Sequence, residues 1–260
     1  MTIDIQKKLQ KIDEQRALLL SFHNPNLITK KHFDEHINTE MTYHSNAIEG
    51  STLTLNETKL ILQDHITVTG KSVVEHQEAK NHEEAINYIK PLAAKPPYII
   101  SEEEILAIHQ RLLSGINYEW AGKYRQQPVY IKRQDGSIQE FSTWQIIPDL
   151  VKNLLTWVRE QESLLHPVLL ASELHYRLIS IHPFIDGNGR TARLLMNVIL
   201  LQNGYPLTTI RLEQRQAYLE AIEAARTSGD MEPFYQIHLE ALAESLGMAI
   251  KTYQENIIWK

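Results

Sequence analysis

The chain has 260 residues, 43% of them hydrophobic, and a formal net charge of −6. It therefore carries apolar material for a full-sized core and no basic tract with which to hold nucleic acid. It has no cysteine, which excludes disulfides, thiolate metal sites and thiol nucleophiles and suits a reducing cytoplasm; no apolar run approaches the ~18 residues of a membrane span, and the opening residues read as an amphipathic helix rather than a signal peptide.

Ile5, Leu9, Ile12 and Leu19 predict a first helix, broken at Asn24-Pro25-Asn26. A second is predicted over 27–49, with Ile37, Met41, His44 and Ile48 as its buried stripe and Gly50 as its stop. Ser45 and Glu49 are i, i+4 neighbours on an adjacent face of it. Thr54-Leu55-Asn56-Glu57 is a capping box opening a helix to about Gln63. A further helix is expected over 74–89, stopping near Pro91. Ser101-Glu102-Glu103-Glu104 is another capping box, with Gly115 as the stop. The next segment reads as extended: Gly122-Lys123-Tyr124-Arg125 leads into Val129-Tyr130-Ile131. The turn Gln134-Asp135-Gly136-Ser137 and the run from Ile138 to Phe141 then complete a hairpin. Helices follow over 148–165, ended by His166-Pro167, and over 169–181; after a loop come a core helix carrying Leu194 to Leu200, and helices over 213–226 and 232–259. The sum is a mainly α fold with one β-hairpin. A soft boundary near residue 54 separates an N-terminal helical segment, 1–53, from a larger unit, 54–260.

The chemistry concentrates in His182-Pro183-Phe184-Ile185-Asp186-Gly187-Asn188-Gly189-Arg190-Thr191-Ala192-Arg193. Gly187 and Gly189 let the backbone turn sharply and approach a ligand closely. A glycine loop feeding a helix start aims several N–H groups at one spot, which makes an anion site. Arg190 and Arg193 leave one helix face, and guanidinium forks suit phosphate oxygens. Asp186 is the lone carboxylate that a Mg²⁺ on a polyphosphate takes from the protein. His182 can accept a proton near neutral pH. Together these parts describe transfer of a phosphorus group. Taken singly, each has a plainer reading: a loop histidine, an ordinary turn, a solvated arginine face.

The ordered set resembles the Fic family signature, H-P-F-x-[D/E]-G-N-G-R-x-x-R, at every defined position. The resemblance implies a Fic-type helical domain with a hairpin flap and an N-terminal helical extension. Its activity would be transfer of AMP from ATP, with Mg²⁺, to a Ser, Thr or Tyr hydroxyl of a target protein. His182 would be the base and Asp186 the metal ligand. Gly187, Asn188 and Gly189 would cradle phosphate, with Arg193 on the γ-phosphate and Arg190 on the lower phosphates or bracing the loop. Ser45-Asn46-Ala47-Ile48-Glu49-Gly50 resembles the family's inhibitory motif, [S/T]-x-x-x-E-[G/N], whose glutamate pairs with the second signature arginine and tilts ATP out of line. In some relatives that glutamate also positions a water that removes AMP from the target. The hairpin resembles the flap on whose edge, here Val129, Tyr130 and Ile131, a target loop adds as a strand. Tyr218 would line the adenine pocket, and homo-oligomers are admitted. The alternative is a nucleotide-binding regulatory module with little turnover; a remoter one is a metal phosphohydrolase using His175, His182 and Asp186. The four tryptophans and His175 read as packing residues.

Overall fold

The computed structural model describes residues 2–22, 26–94, 100–133 and 136–259. The expected break at Asn24-Pro25 and the Gln134-Asp135 half of the hairpin turn lie outside the described residues. Helices dominate: α1 (Ile3–Ser21), α2 (Leu27–Ile48), α3 (Leu55–Leu62), α4 (Val73–Ala93), α5 (Glu102–Leu113), α6 (Ile147–Gln161), α7 (Pro167–Ile181), α8 (Asn188–Gln202), α9 (Arg215–Ser228) and α10 (Glu232–Glu255). The single described sheet pairs β1 (Tyr130–Lys132) antiparallel to β2 (Ile138–Glu140), with Ile131 opposite Gln139. None of the described helices is long and apolar enough to cross a membrane.

Local signals explain most helix starts. The capping boxes at Thr54 and Ser101 both form, and a third forms at Ser72 with Glu75. Pro167 sits in the first turn of α7, where its missing N–H costs nothing. Some expected ends move. α4 runs through Pro91 to Ala93, because a proline in the last turn removes one main-chain bond and not a whole turn. α6 stops at Gln161, whose carbonyl accepts both the Leu164 and the Leu165 N–H at 2.9 Å, so the chain turns before His166. α10 ends at Glu255 because Asn256 adopts the left-handed conformation, φ 52°. Trp259 then folds back, donates to Thr252 Oγ1 at 3.0 Å and stacks on His36. The helix expected over 213–226 begins as a 3-10 turn and continues to Ser228, closed by Gly229. Val129 lies before β1 rather than in it, and 122–125 form no strand.

α7 and α8 form the packed centre of the molecule, with α4 and α5 against α8 and α10 against α7. Leu174, Leu178, Leu194 and Leu195 are fully buried there. α1 lies along α10, and Asp13 on α1 accepts from Tyr205 Oη at 2.8 Å and contacts His166 Nε2 at 3.2 Å. Ile5, Leu9, Ile12, Phe33, Ile37 and Met41 join the same core cluster as the central helices. The segment before residue 54 therefore has no core of its own; it is packed into the body that carries the site. Replacing Leu195 with alanine removes three carbons' worth of contacts from the helix that starts at the glycine loop. Its expected cost is about 2–5 kcal/mol, read as a lower midpoint in urea unfolding with an unchanged slope.

Candidate active site

The site is the loop between α7 and α8. α7 ends on His182, which takes the left-handed conformation, φ 52°. That is an unusual backbone for a residue with a Cβ. Its ring stacks on Phe141 at 4.1 Å and 19°. Burial pulls its pKa down to about 4, partly offset by a hydrogen bond with the Ile179 carbonyl. His182 is therefore neutral near pH 7. With one nitrogen donating to that carbonyl, the other carries a lone pair free to accept a proton.

The loop from Phe184 to Asn188 is held by its own polar groups. Asn188 Oδ1 accepts from the Phe184 N–H and its Nδ2 donates to the Phe184 carbonyl, both at 2.9 Å. Gly187 has φ 77° and lies over His109, so a Cβ there would be both strained and crowded. Asp186 projects its carboxylate to solvent, 66% exposed, with Oδ1 accepting from the Gly187 N–H at 2.6 Å. Arg190 is buried beneath. It donates to Asp186 Oδ2 at 3.1 Å and to Glu78 Oε1 at 2.8 Å, which makes it a brace for the loop in this state.

Arg193, one turn further on, is 3% exposed and meets the end of α2. Its Nε donates to Ser45 Oγ at 3.0 Å, and Nη2 donates to the Ser45 carbonyl at 2.9 Å and to Glu49 Oε1 at 2.6 Å. Burial works against its charge, but Glu49 and Tyr218 more than offset this and its pKa lies above the ordinary value. Gly50, φ 109°, ends the helix just beyond. The Glu49 carboxylate lies against Gly189, where a Cβ would collide with Oε1. Arg193 Nη1 flanks the same spot, and it is buried with no hydrogen-bond partner. An acid oxygen thus sits against Gly189 in the first turn of α8, beside the glycine loop.

Tyr218 adjoins this cluster through Arg193. Tyr218 is buried on α9 and its hydroxyl bonds to His175 Nε2 at 2.8 Å, while His175 Nδ1 meets His238 Nε2 at 2.9 Å. Its ring packs in a second cluster with Ile48, Ile210 and Phe234. Both ring nitrogens of His175 are taken up in this network, which leaves the three-residue metal set of the phosphohydrolase reading unassembled. Among the described residues no group of three or more histidine or acidic side chains could hold a metal alone. Tyr130 and Ile131 are 57% and 41% exposed on β1.

Sequence reasoning missed four residues that build the site. His109 Nδ1 accepts from the Gly122 N–H at 3.0 Å, which leaves Nε2–H to donate to the Asp186 carbonyl at 3.0 Å. Its ring stacks on Phe184 at 3.6 Å. Glu78 carries the counter-charge of Arg190. Arg215 Nε donates to the Ile48 carbonyl at 2.8 Å and fastens the C-terminus of α2. Arg125 donates to the His182 carbonyl at 2.9 Å. Each acts across a large sequence separation, with no local motif to announce it.

Comparison with known proteins places this arrangement. Residues 99–200 match the model of the Fic/DOC family. The chain is 38% identical over 233 residues to protein adenylyltransferase Fic of Nematostella vectensis, which takes in 88% of this chain and 52% of that protein. It is 34% identical over 221 residues to protein adenylyltransferase fic-1 of Caenorhabditis elegans, 83% of this chain and 42% of that one. The chain spans about half the length of the curated relatives it matches. A crystal structure of a Fic domain containing signaling protein from Bacteroides thetaiotaomicron superposes with a TM-score of 0.88 at 30% identity, covering 96% of this chain and 98% of that one. Fic-1 from C. elegans gives 0.85 at 28% identity, covering 97% and 74%.

The buried histidines set the acid stability. Burial depresses His109, His182 and His238 to about 4, and holds His82 and His175 well below the usual value. They are neutral when folded and protonate near pH 6.5 when unfolded, so the unfolded state takes up protons first as pH falls. Their contribution is complete above about pH 6.5 and is lost toward pH 4, at ~1.4 kcal/mol per pH unit for each histidine. Thermal unfolding followed from pH 8 to pH 5 is expected to give a level Tm above pH 7 and a steep fall below pH 6. A level Tm down to pH 5 would contradict the neutral assignments.

Proposed function

This chain belongs to the Fic/DOC family, and we propose that it is a protein adenylyltransferase that moves AMP from ATP to a Ser, Thr or Tyr hydroxyl of a target protein and is held inactive by its own Glu49. The observation that carries the reading is the Glu49 carboxylate lying on Gly189 while paired with Arg193 at 2.6 Å. A carboxylate mimics a phosphate oxygen in charge and hydrogen-bonding geometry. Where it sits, the loop amides, the start of α8 and a buried arginine with one unpartnered nitrogen are ready for an anion.

In the proposed reaction the lone pair on His182 takes the proton of the target hydroxyl. The hydroxyl oxygen forms a bond to the α-phosphorus, the bond from that phosphorus to the bridging oxygen breaks, and pyrophosphate leaves with the electron pair. His182 needs no prior loss of a proton for this, because burial already keeps it neutral. The Gly187–Gly189 amides stabilise the charge that spreads over the non-bridging oxygens, and Arg193 takes the terminal phosphate once Glu49 has gone. Arg190 keeps the loop in shape through Asp186 and Glu78. The exposed Asp186 carboxylate fits a Mg²⁺ that takes most of its ligands from water and phosphate; when bound, that ion would neutralise charge on the phosphates. The target would pair its main chain with the outer edge of β1, beside the exposed Tyr130 and Ile131.

A binding module with little turnover would have no use for a neutral, orientated imidazole next to the anion site, and the presence of one favours the enzyme. Incubation with α-³²P-ATP and Mg²⁺ compares the wild type, Glu49→Gly and Glu49→Gly/His182→Ala. Expected are faint labelling of the wild type, a rise of about tenfold or more in Glu49→Gly, and loss of that signal by about 10²–10⁴-fold in the double variant. If Glu49→Gly binds ATP but labels neither itself nor any protein of a lysate, the binding module is the better reading.

A further inference from the structure

Arg125 makes a set of contacts that the transfer chemistry does not call for. It is 1% exposed, and its donors end on main-chain carbonyls of three separate segments. Its own N–H donates to the Pro183 carbonyl at 2.9 Å and its Nε to the His182 carbonyl at 2.9 Å. Nη1 donates to the Gln127 carbonyl at 3.0 Å and Nη2 to the Ser142 carbonyl at 2.6 Å. Burial lowers its pKa, and none of the ion pairs among the described residues includes it. A guanidinium buried with carbonyl dipoles as its whole compensation is costly to the fold. What it gains is a junction.

Gln127 stands before β1 and Ser142 after β2, so two arms of the fork clip the two feet of the hairpin. The remaining donors hold the carbonyls of His182 and Pro183, which fix the left-handed turn that presents the imidazole. Phe141, adjacent to Ser142, lies flat on that imidazole at 4.1 Å. No residue of β1 or β2 is buried, and the Arg133–Glu223 pair at the far end of the hairpin, at 3.7 Å, is partly solvated.

We propose that Arg125 is a positioning residue that sets the distance and angle between the docking edge, Tyr130–Lys132, and the His182 ring. A target hydroxyl carried on that edge then arrives within reach of the imidazole lone pair. Arg125 touches neither nucleotide nor target; it acts through the two elements that do. The role needs a planar fork with donors in several directions, which a lysine does not supply. The proposal rests on the reading of His182 as base and β1 as docking edge.

The test uses Arg125→Gln and Arg125→Lys in the Glu49→Gly chain, with three readouts. ATP affinity is measured by calorimetry and transfer by self-labelling. The third needs no activity: the ¹H shift of the His182 ring, assigned by its absence in His182→Ala, reports the shielding by Phe141. Expected for Arg125→Gln are an ATP Kd within about twofold of the parent, transfer lower by about 10–100-fold, and a downfield move of the His182 signal. Arg125→Lys, which keeps the charge, is expected to restore less than half of either loss. Phe141→Ala, with Arg125 intact, is expected to reproduce the shift and part of the transfer defect, and it serves if the Arg125 variants do not fold. Loss of ATP binding in parallel with transfer, or an unmoved His182 signal, overturns the proposal in favour of a purely structural arginine. If the Glu49→Gly parent binds ATP but transfers nothing, the transferase reading fails, and the His182 shift alone decides whether Arg125 sets the hairpin on the ring.

Discussion

The burial of Arg193 is the constraint on which the rest depends. A guanidinium that is 3% exposed must have an anion or a set of dipoles beside it, and in this state the partners of its Nε and Nη2 all come from one place, the C-terminal end of α2. The need for a counter-charge therefore pins a whole helix across the anion site. On the reading proposed here, the same need makes the arrangement reversible. A phosphate brings more charge than the carboxylate it would replace, and the Ser45 hydroxyl and carbonyl remain as partial compensation. Glu49 is 38% exposed, so its pairing is screened and its loss costs far less than the ~3–5 kcal/mol of breaking a fully buried pair. Arg215 on the Ile48 carbonyl and the Leu212 N–H on His44 Nδ1 hold the same turn from the side. On the reading proposed here, release thus asks for movement of a side chain more than of the helix.

Behind Arg193 lies a hydrogen-bond chain whose direction can be worked out. His238 Nδ1–H donates to the Phe234 carbonyl at 2.7 Å, so its Nε2 accepts. His175 Nδ1–H then donates to His238, which leaves His175 Nε2 to accept from the Tyr218 hydroxyl. With that proton committed, the Tyr218 oxygen turns its lone pairs toward the guanidinium it faces. Two neutral histidines thus orient a dipole at the back of the arginine. Burial holds both below the usual value, and a proton added to either would break this sequence of donors and acceptors.

What could be read from the sequence divides by range of interaction. Helix starts were legible because a capping box is three residues long and decides its own geometry. The glycine loop was legible for the same reason, and so was the i, i+4 placing of Ser45 and Glu49. Helix ends were less so. Trp259 looked like a continuation of α10 because its periodicity fits, yet the left-handed Asn256 overrides the pattern. Val129 looked like strand because its neighbours are apolar, but pairing begins one residue later. The residues that build the second layer were invisible. His109 is a lone histidine on an amphipathic helix, and its worth appears only when Gly122 and Asp186 are brought to its two nitrogens. Arg125 followed a glycine and a tyrosine in an unremarkable polar stretch. Nothing nearby said that its donors would span from Gln127 to Pro183.

The two buried arginines around His182 differ in one chemical respect, and on the reading proposed here it separates a switch from a strut. Arg193 has a carboxylate on another helix as its principal partner, and a carboxylate can be exchanged for a phosphate with little change in geometry. Arg125 has only carbonyls of the chain it joins. No ligand can take their place, since freeing any one of them would leave a buried donor and a buried acceptor unpaired together. On the reading proposed here, nucleotide access can then be regulated at Arg193 without disturbing the relation between docking edge and base, which Arg125 keeps constant. An enzyme that recognises its target through main-chain pairing has few side-chain contacts with which to align the reacting hydroxyl. Alignment must then be built into the protein beforehand, and a buried fork between the hairpin and the catalytic turn is a place where it can be built.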